Sequence, residues 1–272
     1  PGMPVILALD QGTTGSTALV IAPDGRVLGR GYREIPQHFP EPGQVEHEPE
    51  DLFATAVAAG REAIAAAGAE PDAIGITNQR ETLVLWQRET LQPIGRAIVW
   101  QDRRTAARCA ALRAEGREPM LRERTGLVLD PYFSATKLEW LLQDGALRRG
   151  AEQGDVVAGT VESWLVARLS GGVHVRARTN ASRTMLARLD SGEWDDELLA
   201  LFGVPRGMLP RVVASAGTVA TADAKWFGRE LPISGLAGDQ QAALFGQDCV
   251  RPGEAKITFG TGAFLLRFTG TD

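Results

Sequence analysis

The first 35 residues alternate between apolar runs and turn sequences. Residues 5–9 are all apolar, which is typical of a buried strand, and the run ends at Asp10. A glycine-rich turn leads to a second apolar run over 16–22. Pro-Asp-Gly at 23–25 then marks another turn before a third run over 27–35. The pattern therefore predicts three strands that follow one another in antiparallel order.

Helical spacing begins at residue 49. Pro49 suits the first position of a helix, and Glu50 and Asp51 complement the positive end of the helix dipole. Apolar side chains then recur on one face as far as Ile64, and Gly68 is a stop signal. The sequence predicts one long helix here.

Strand and helix patterns alternate through the rest of the chain. Strands are predicted at 74–77, 83–86, 97–100 and 232–235, and helices at 105–114, 134–142, 163–169 and 240–245. Residues 256–266 then repeat the strand, Gly-Thr turn and strand of residues 7–20. We predict an α/β fold with a mixed sheet flanked by helices.

Composition narrows the class of protein. The chain is 44% apolar and 23% charged, with a net charge of −5, as in ordinary soluble globular proteins. Since the sequence has no basic block, we expect no nucleic-acid partner, and no apolar run is long enough for a membrane span. Cys109 and Cys249 are far apart and have no CxxC partner, so we expect free thiols and a cytoplasmic location.

The first turn has the residues that a phosphate site needs. Asp10 ends a buried strand, where its carboxylate can hold Mg²⁺. Gly12 permits close approach of a phosphate, and Thr13 and Thr14 add hydroxyls to the backbone donors of the turn. A turn that merely joins two strands would look similar. The matching turn at 259–262, with Gly260 and Thr261, favours the phosphate site.

This pair of turns resembles the nucleotide-binding fold shared by actin, the heat-shock ATPases and the sugar kinases, which is a ribonuclease H-like (actin-like ATPase) domain. Five further segments closely resemble signature stretches of the FGGY carbohydrate kinases, in the glycerol kinase branch. They are 77–82 (TNQRET), 98–105 (IVWQDRRT), 125–134 (TGLVLDPYFS), 179–185 (TNASRTM) and 238–246 (GDQQAALFG). The likeness follows the family order from residue 5 to about residue 268.

The resemblance implies a polyol site. Hydrogen bonds to the hydroxyls of glycerol would come from Arg80, Glu81, Tyr132, Asp239 and Gln240. Trp100 and Phe264 would form an apolar wall against its carbon chain. Polar groups would then fix each hydroxyl, and the aromatic faces would exclude water, a combination that is typical of small-molecule sites. Core packing is the ordinary alternative for the three aromatic residues, and a solvated ion pair is the alternative for Arg80 and Glu81.

The resemblance also implies catalytic roles. Asp239 would be the base that accepts the proton of the attacking hydroxyl, although an Asp before a helix is also a common cap. Asp10 would organise Mg²⁺. The ATP phosphates would lie against Thr13, Thr14, Gly260 and Thr261. The implied reaction is ATP-dependent phosphorylation of glycerol to sn-glycerol 3-phosphate.

Two departures from the family pattern affect this interpretation. Thr17 stands where glycerol kinases commonly have an arginine near the phosphates. The family's adenine and ribose pocket comes mainly from a C-terminal domain. We therefore interpret 1–251 as the FGGY N-terminal, polyol-binding domain and 252–272 as the first hairpin of a truncated C-terminal nucleotide-binding domain.

Three matters stay open at this point. Alone, the chain is expected to be inactive, so one alternative is a non-catalytic polyol-binding fragment. Another alternative is a related FGGY kinase that acts on a different polyol or on a ketose. An apolar face left by a missing domain also leaves open a homo-oligomer.

Overall fold

The computed structural model describes residues 4–270, so the predicted domain limits at residues 1 and 272 lie outside it. Its strands are Ile6–Gln11 (β1), Gly15–Ile21 (β2), Val27–Glu34 (β3), Glu46–His47 (β4), Ala73–Asn78 (β5), Leu83–Gln87 (β6), Ala97–Ile98 (β7), Val156–Thr160 (β8), Val175–Ala177 (β9), Arg211–Val213 (β10), Ala216–Ala222 (β11), Leu231–Gly238 (β12), Ala255–Phe259 (β13) and Ala263–Arg267 (β14). Its α-helices are Pro49–Ala67 (α1), Ala106–Ala114 (α2), Glu118–Thr125 (α3), Ser134–Leu141 (α4), Gly145–Gln153 (α5), Val161–Ser170 (α6), Arg178–Ala181 (α7), Asp196–Phe202 (α8), Ala224–Phe227 (α9) and Asp239–Gly246 (α10). A short 3-10 helix lies at Arg206–Met208.

A six-stranded mixed sheet organises the fold, with the strand order β11-β12-β5-β1-β2-β3. β1, β2 and β3 are antiparallel neighbours, which confirms the predicted opening unit. β5 pairs in parallel with β1 on one side and with β12 on the other. The carboxyl ends of these three parallel strands therefore meet at one edge of the sheet, where Gln11, Asn78 and Gly238 lie side by side.

Helix α1 covers part of this sheet. It begins at the predicted Pro49 and ends at Gly68, whose φ of 61° is the left-handed conformation that favours glycine. Its buried face packs on β2 and β3. Contact is close because β3 has glycines there: a β-carbon at Gly31 would come within 2.1 Å of the Ala59 carbonyl oxygen. The predicted helix is confirmed, with this glycine contact as the reason it can approach the sheet.

A second sheet, with the order β4-β7-β6-β8, carries its own apolar core. The predicted strands at 83–86 and 97–100 are confirmed, although the second is shorter and ends at Ile98. Strand β8 and helices α3, α5 and α8 were not predicted. In α5 only Ala151 is buried, and the segment is short and largely polar, so its few apolar residues give a weak helix signal.

The hairpin of β13 and β14 is the last element, and among the described strands these two pair only with each other. Phe259 faces Ala263 across the predicted turn, and the Gly260 N–H donates to the Gly262 carbonyl over 3.0 Å. The hairpin contacts α10 and carries its turn to the edge where β1, β5 and β12 end.

Candidate functional site

A cavity of about 220 Å³ lies at this edge of the sheet. Its volume is below the range of drug-sized pockets, so it suits a small ligand. The residues that line it are Gly12, Thr13, Thr14, Arg80, Glu81, Trp100, Tyr132, Asp239, Gln240, Thr258, Gly260, Thr261, Gly262 and Phe264. The structure therefore brings together every residue that the sequence predicted for the site except Asp10.

Arg80 is the centre of the polar network. Its side chain is only 4% exposed, and its Nε lies 3.2 Å from Asp239 Oδ1. Its two terminal nitrogens donate to Gln241 Oε1 over 3.3 Å and to the Tyr132 hydroxyl over 3.5 Å. The guanidinium carbon also lies 5.7 Å from the centroid of the Phe264 ring. A solvated surface arginine would have none of these constraints, so that alternative does not apply.

Glu81 is buried beside Arg80 in an unusual backbone conformation. Its φ of 64° is left-handed, which is uncommon for a residue other than glycine, and Ser134 Oγ donates to its carbonyl over 3.0 Å. Arg183 Nε donates to the Glu81 carboxylate over 2.8 Å. Burial raises the pKa of Glu81, while the positive charges of Arg80 and Arg183 oppose that rise. This backbone strain lies at the cavity wall, where strain marks functional sites.

Three aromatic rings also line the cavity, and two of them contact Arg80. The Trp100 centroid lies 5.6 Å from that of Tyr132 at 89° and 6.0 Å from that of Phe264 at 69°, both edge-to-face arrangements. Trp100 Nε1 donates to Thr13 Oγ1 over 2.8 Å, which links the aromatic wall to the first glycine-threonine turn. Burial and the nearby Glu81 carboxylate raise the pKa of Tyr132 to about 12, so its hydroxyl stays protonated and can donate.

The hairpin supplies the last wall through the turn at 260–262 and through Phe264 on β14. Lys256 on β13 is buried, donates to Gln240 Oε1, and donates to Thr258 Oγ1 over 2.7 Å. Gln240 is thereby held at the start of α10 with its amide fixed. The predicted pair of turns, at 12–14 and at 260–262, faces one cavity.

Asp239 is the first residue of α10, immediately after β12, as predicted. Its Oδ1 accepts from the Gln240 N–H over 2.7 Å, so a local backbone role and a role in the cavity coexist. Burial raises the pKa of Asp239, and Arg80 opposes that rise.

Asp10 does not line the cavity and lies opposite Thr17 in the β1–β2 pair. Its side chain keeps access to solvent. The pKa of Asp10 is nevertheless raised to about 6. The first cause is that surrounding protein groups displace solvent, and the second is repulsion from the Asp239 carboxylate. Two carboxylates that repel each other beside a glycine-threonine turn fit a divalent cation, which would relieve that repulsion. Within residues 4–270, no group of three or more His, Cys, Asp or Glu side chains is arranged around a common metal position.

Several residues of the site carried no role in the sequence interpretation. Lys256, Thr258 and Gln241 complete the polar network, and Arg183 holds Glu81. One signal was available: a lysine inside an apolar strand suggests a buried partner. For Arg183, the sequence indicated only a signature stretch.

None of the helices in the described part of the chain is long and apolar enough to cross a bilayer.

Known proteins resemble this chain in sequence. The family model for the FGGY family of carbohydrate kinases, N-terminal domain, matches residues 5–246. The chain is 53% identical to a glycerol kinase of Paracidovorax citrulli over 99% of its length, and 55% identical to one of Geobacter sp. over 98%. It spans about half the length of these curated relatives, at 54% and 55%.

A solved structure is also similar. The crystal structure of Plasmodium falciparum glycerol kinase with ADP is matched with a TM-score of 0.92 at 31% identity, over 97% of this chain and 54% of that one. A xylulose kinase from Rhodospirillum rubrum, at 24% identity and a TM-score of 0.87, shares the fold. Because the family model covers most of the chain, this chain belongs to the FGGY family of carbohydrate kinases and carries their N-terminal domain.

Proposed function

We propose that the protein to which this chain belongs transfers the γ-phosphoryl group of ATP to glycerol, giving sn-glycerol 3-phosphate and ADP. One observation carries the proposal. A small cavity combines a charged, hydrogen-bonding polar wall around Arg80 and Glu81 with an aromatic wall around Trp100 and Phe264. Relatives at 53–55% identity that are named glycerol kinase support the choice of polyol.

The polar wall matches the chemistry of adjacent hydroxyls. Each hydroxyl of a polyol both donates and accepts, so a site needs fixed donors beside fixed acceptors. Arg80, Tyr132 and Gln240 supply donors, and the carboxylates of Glu81 and Asp239 supply acceptors. Trp100 and Phe264 would cover the carbon chain and exclude water from the reacting hydroxyl.

We assign Asp239 as the catalytic base. Its carboxylate would accept the proton of the primary hydroxyl whose oxygen attacks the γ-phosphorus, while the bond from that phosphorus to the β-bridging oxygen breaks. Phosphoryl transfer needs mainly positioning and charge stabilisation from the protein. Arg80, 3.2 Å from Asp239, would orient the carboxylate and favour its ionised form. Bound Mg²⁺ would neutralise phosphate charge, with Asp10 as the residue that holds it.

The nucleotide would be bound between two parts of the protein. Thr13 and Thr14 on one turn, and Gly260 and Thr261 on the other, would contact its phosphates. We assign residues 1–251 to a polyol-binding domain and 252–272 to the start of a C-terminal nucleotide-binding domain. In this arrangement the 272-residue chain alone binds ATP poorly and does not turn over, and the full-length enzyme works in the cytoplasm, where ATP is available.

The decisive experiment measures ADP formation by the full-length protein with glycerol, with other small polyols and with pentuloses. Glycerol-dependent ADP formation supports the proposal, whereas activity on a pentulose alone supports a related kinase instead. Calorimetric titration of the 272-residue chain then separates the half-sites. Glycerol binding with weak Mg²⁺-ATP binding supports the domain assignment. Tight ATP binding without glycerol binding contradicts the polyol assignment.

A further inference from the structure

The signature stretch at 179–185 contributes no side chain to the cavity, yet it contacts the cavity wall at three places. Thr179 Oγ1 accepts from the Gly238 N–H over 3.0 Å, next to Asp239. Asn180 bonds to Asn78, two residues before Arg80. Arg183 bonds to Glu81. The segment 179–183 is therefore hydrogen-bonded to the residues of the polar wall or to their neighbours, at Gly238, at Asn78 and at Glu81.

The Asn78–Asn180 contact fixes the position of the segment. The two buried amides exchange hydrogen bonds of 3.2 and 3.0 Å, so each donates to and accepts from the other. Two buried amides that satisfy each other bind the end of β5 to the short helix α7 without leaving a polar atom unpaired. Three residues further along both stretches, Arg183 meets Glu81.

Arg183 is itself held in place by aromatic rings. Its guanidinium carbon lies 4.9 Å from the Phe133 centroid and 5.4 Å from the Tyr132 centroid. Stacking of this kind orients the planar group and limits its rotamers. The Nε–H that points to the Glu81 carboxylate is therefore preorganised rather than one of several surface arrangements.

Glu81 depends on its cationic neighbours because the side chain is only 1% exposed. Four groups around it bear on its charge: Arg80 on its own segment, Arg183 beyond α7, Lys137 on α4 and the Tyr132 hydroxyl. Lys137 Nζ donates to the carbonyls of Val99 and Tyr132. Among the side chains of residues 4–270, Arg183 is the cation that donates a hydrogen bond to the Glu81 carboxylate.

We propose that Arg183 is a positioning residue for polyol binding, which keeps the Glu81 carboxylate charged and oriented so that it accepts hydrogen bonds from the substrate hydroxyls. This inference rests on the proposed function of the cavity. Asn180 and Thr179 hold the segment in register, and Arg183 acts on the ligand only through Glu81. A protonated Glu81 would present a donor where the site needs an acceptor.

The test compares Arg183→Met and Arg183→Lys with the wild-type chain. Arg188→Met is the matched control, since Arg188 lies three residues beyond the stretch 179–185 and pairs with Asp190 and Asp195, neither of which lines the cavity. Glycerol affinity is measured by calorimetry across pH. We expect Arg183→Met to weaken glycerol binding about 10- to 100-fold, as for loss of a hydrogen bond between charged groups. Arg183→Lys should recover part of the affinity, and Arg188→Met should keep wild-type affinity.

A purely structural role is distinguished by two further readouts. In a Glu81→Gln background, Arg183→Met should cost less than about threefold if Arg183 acts through Glu81. An undiminished loss there contradicts the proposal. In the ligand-free chain, ¹³C NMR of the Glu81 carboxyl should report a higher pKa in Arg183→Met than in the wild type. An unchanged Glu81 pKa in a folded variant also overturns it. If the wild-type chain binds no glycerol, the proposed function fails, and the Glu81 titration still decides the role of Arg183.

Discussion

Gly238 lies so close to Arg80 that a β-carbon at residue 238 would be 2.7 Å from Arg80 Cδ. The backbone of Gly238, with φ of −62° and ψ of 145°, is open to any residue, so the need for glycine here comes from the neighbouring side chain. The end of β12 has no side chain at this position, and the stem of Arg80 fills the space. The fold therefore sets the position of a proposed polyol-binding residue through a missing methyl group.

Gly238→Ala should displace Arg80 and weaken glycerol binding while the chain remains folded. We expect a loss of about 10-fold or more, because Arg80 would lose alignment with Asp239 and with the ligand. Calorimetry with glycerol measures the effect. Gly235→Ala in the same strand is the control, since its β-carbon would meet only the Cα of Gly75 at 3.5 Å. Equal affinities of the two variants would show that the contact with Arg80 is unimportant.

Asp239→Asn in the full-length protein should lower kcat by about 10²- to 10⁴-fold, the usual contribution of a general base. Asparagine keeps the volume and the hydrogen bond from the Gln240 N–H, so the helix start should survive. Steady-state kinetics with glycerol give kcat and KM, and thermal unfolding reports the integrity of the fold. A variant with near-normal kcat would assign the proton acceptor to another group.

Trp100→Phe tests the link between the aromatic wall and the first turn. Phenylalanine keeps an aromatic face against the polyol but removes the hydrogen bond to Thr13 Oγ1. In the full-length enzyme we expect a larger increase in the KM for ATP than in that for glycerol. Trp140→Phe, at an exposed position on α4, is the control. A change confined to glycerol would mean that the indole N–H does not act through the phosphate turn.

His174 predicts a pH dependence of stability. Burial lowers its pKa from 6.5 to about 4, and its Nε2 lies 3.0 Å from the Ala158 carbonyl oxygen. The unfolded chain therefore binds more protons than the folded chain between pH 6.5 and 4, so stability is lost as the pH falls through that window. At about 1.4 kcal/mol per pKa unit, the loss reaches up to about 3 kcal/mol.

The variant His174→Gln should reduce this acid sensitivity, because glutamine can donate to the same carbonyl without gaining a charge. Urea unfolding at several pH values gives the free energy of unfolding of both chains. The wild-type value should fall more steeply from pH 6.5 to 4 than that of the variant. Parallel curves would assign the acid sensitivity to other groups.

Exposed apolar side chains on the hairpin and on α10 indicate that copies of this chain associate with one another. Phe245, Ile257, Phe259 and Leu265 are large apolar side chains with exposed fractions of 76%, 54%, 83% and 68%. A surface of this kind binds apolar dyes and favours contact between copies. Light scattering of the 272-residue chain should show concentration-dependent association. The combined change Phe259→Ser and Leu265→Ser should reduce it, whereas Val27→Ser on the distant strand β3 should not.

The sequence was most informative where backbone and burial patterns are local. The three opening strands and the limits of α1 follow from apolar periodicity and from Pro49 and Gly68. The two glycine-threonine turns follow from their own residues. The site residues were predicted largely through family resemblance, since adjacent Arg80 and Glu81 have no distinctive pattern of their own. Their convergence depends on the parallel pairing of β5 with β1 and β12, which local sequence does not encode.

The sequence did not indicate two long-range side-chain contacts and two secondary-structure elements. Arg183 bonds to a residue more than 100 positions earlier in the chain, and Lys256 bonds to one 16 positions earlier. No periodicity in the sequence indicates such partners. Helix α5 was missed because most of its side chains are exposed, and β8 was missed because a short buried run fits a helix as well as a strand. In each case, tertiary contacts decide the outcome.

The position of β13 and β14 has a consequence for how the cavity is built. The strands β1, β5 and β12 support the polar wall and also hold the fold together, so substitutions there affect both properties. The hairpin is joined to the rest of the described chain through α10 and a few side-chain contacts, such as Lys256 with Gln240 and Phe264 with Trp100. Among the described residues, the cavity therefore depends on how α10 holds the hairpin against the parallel strands, and a shift of α10 would change the space left for a ligand.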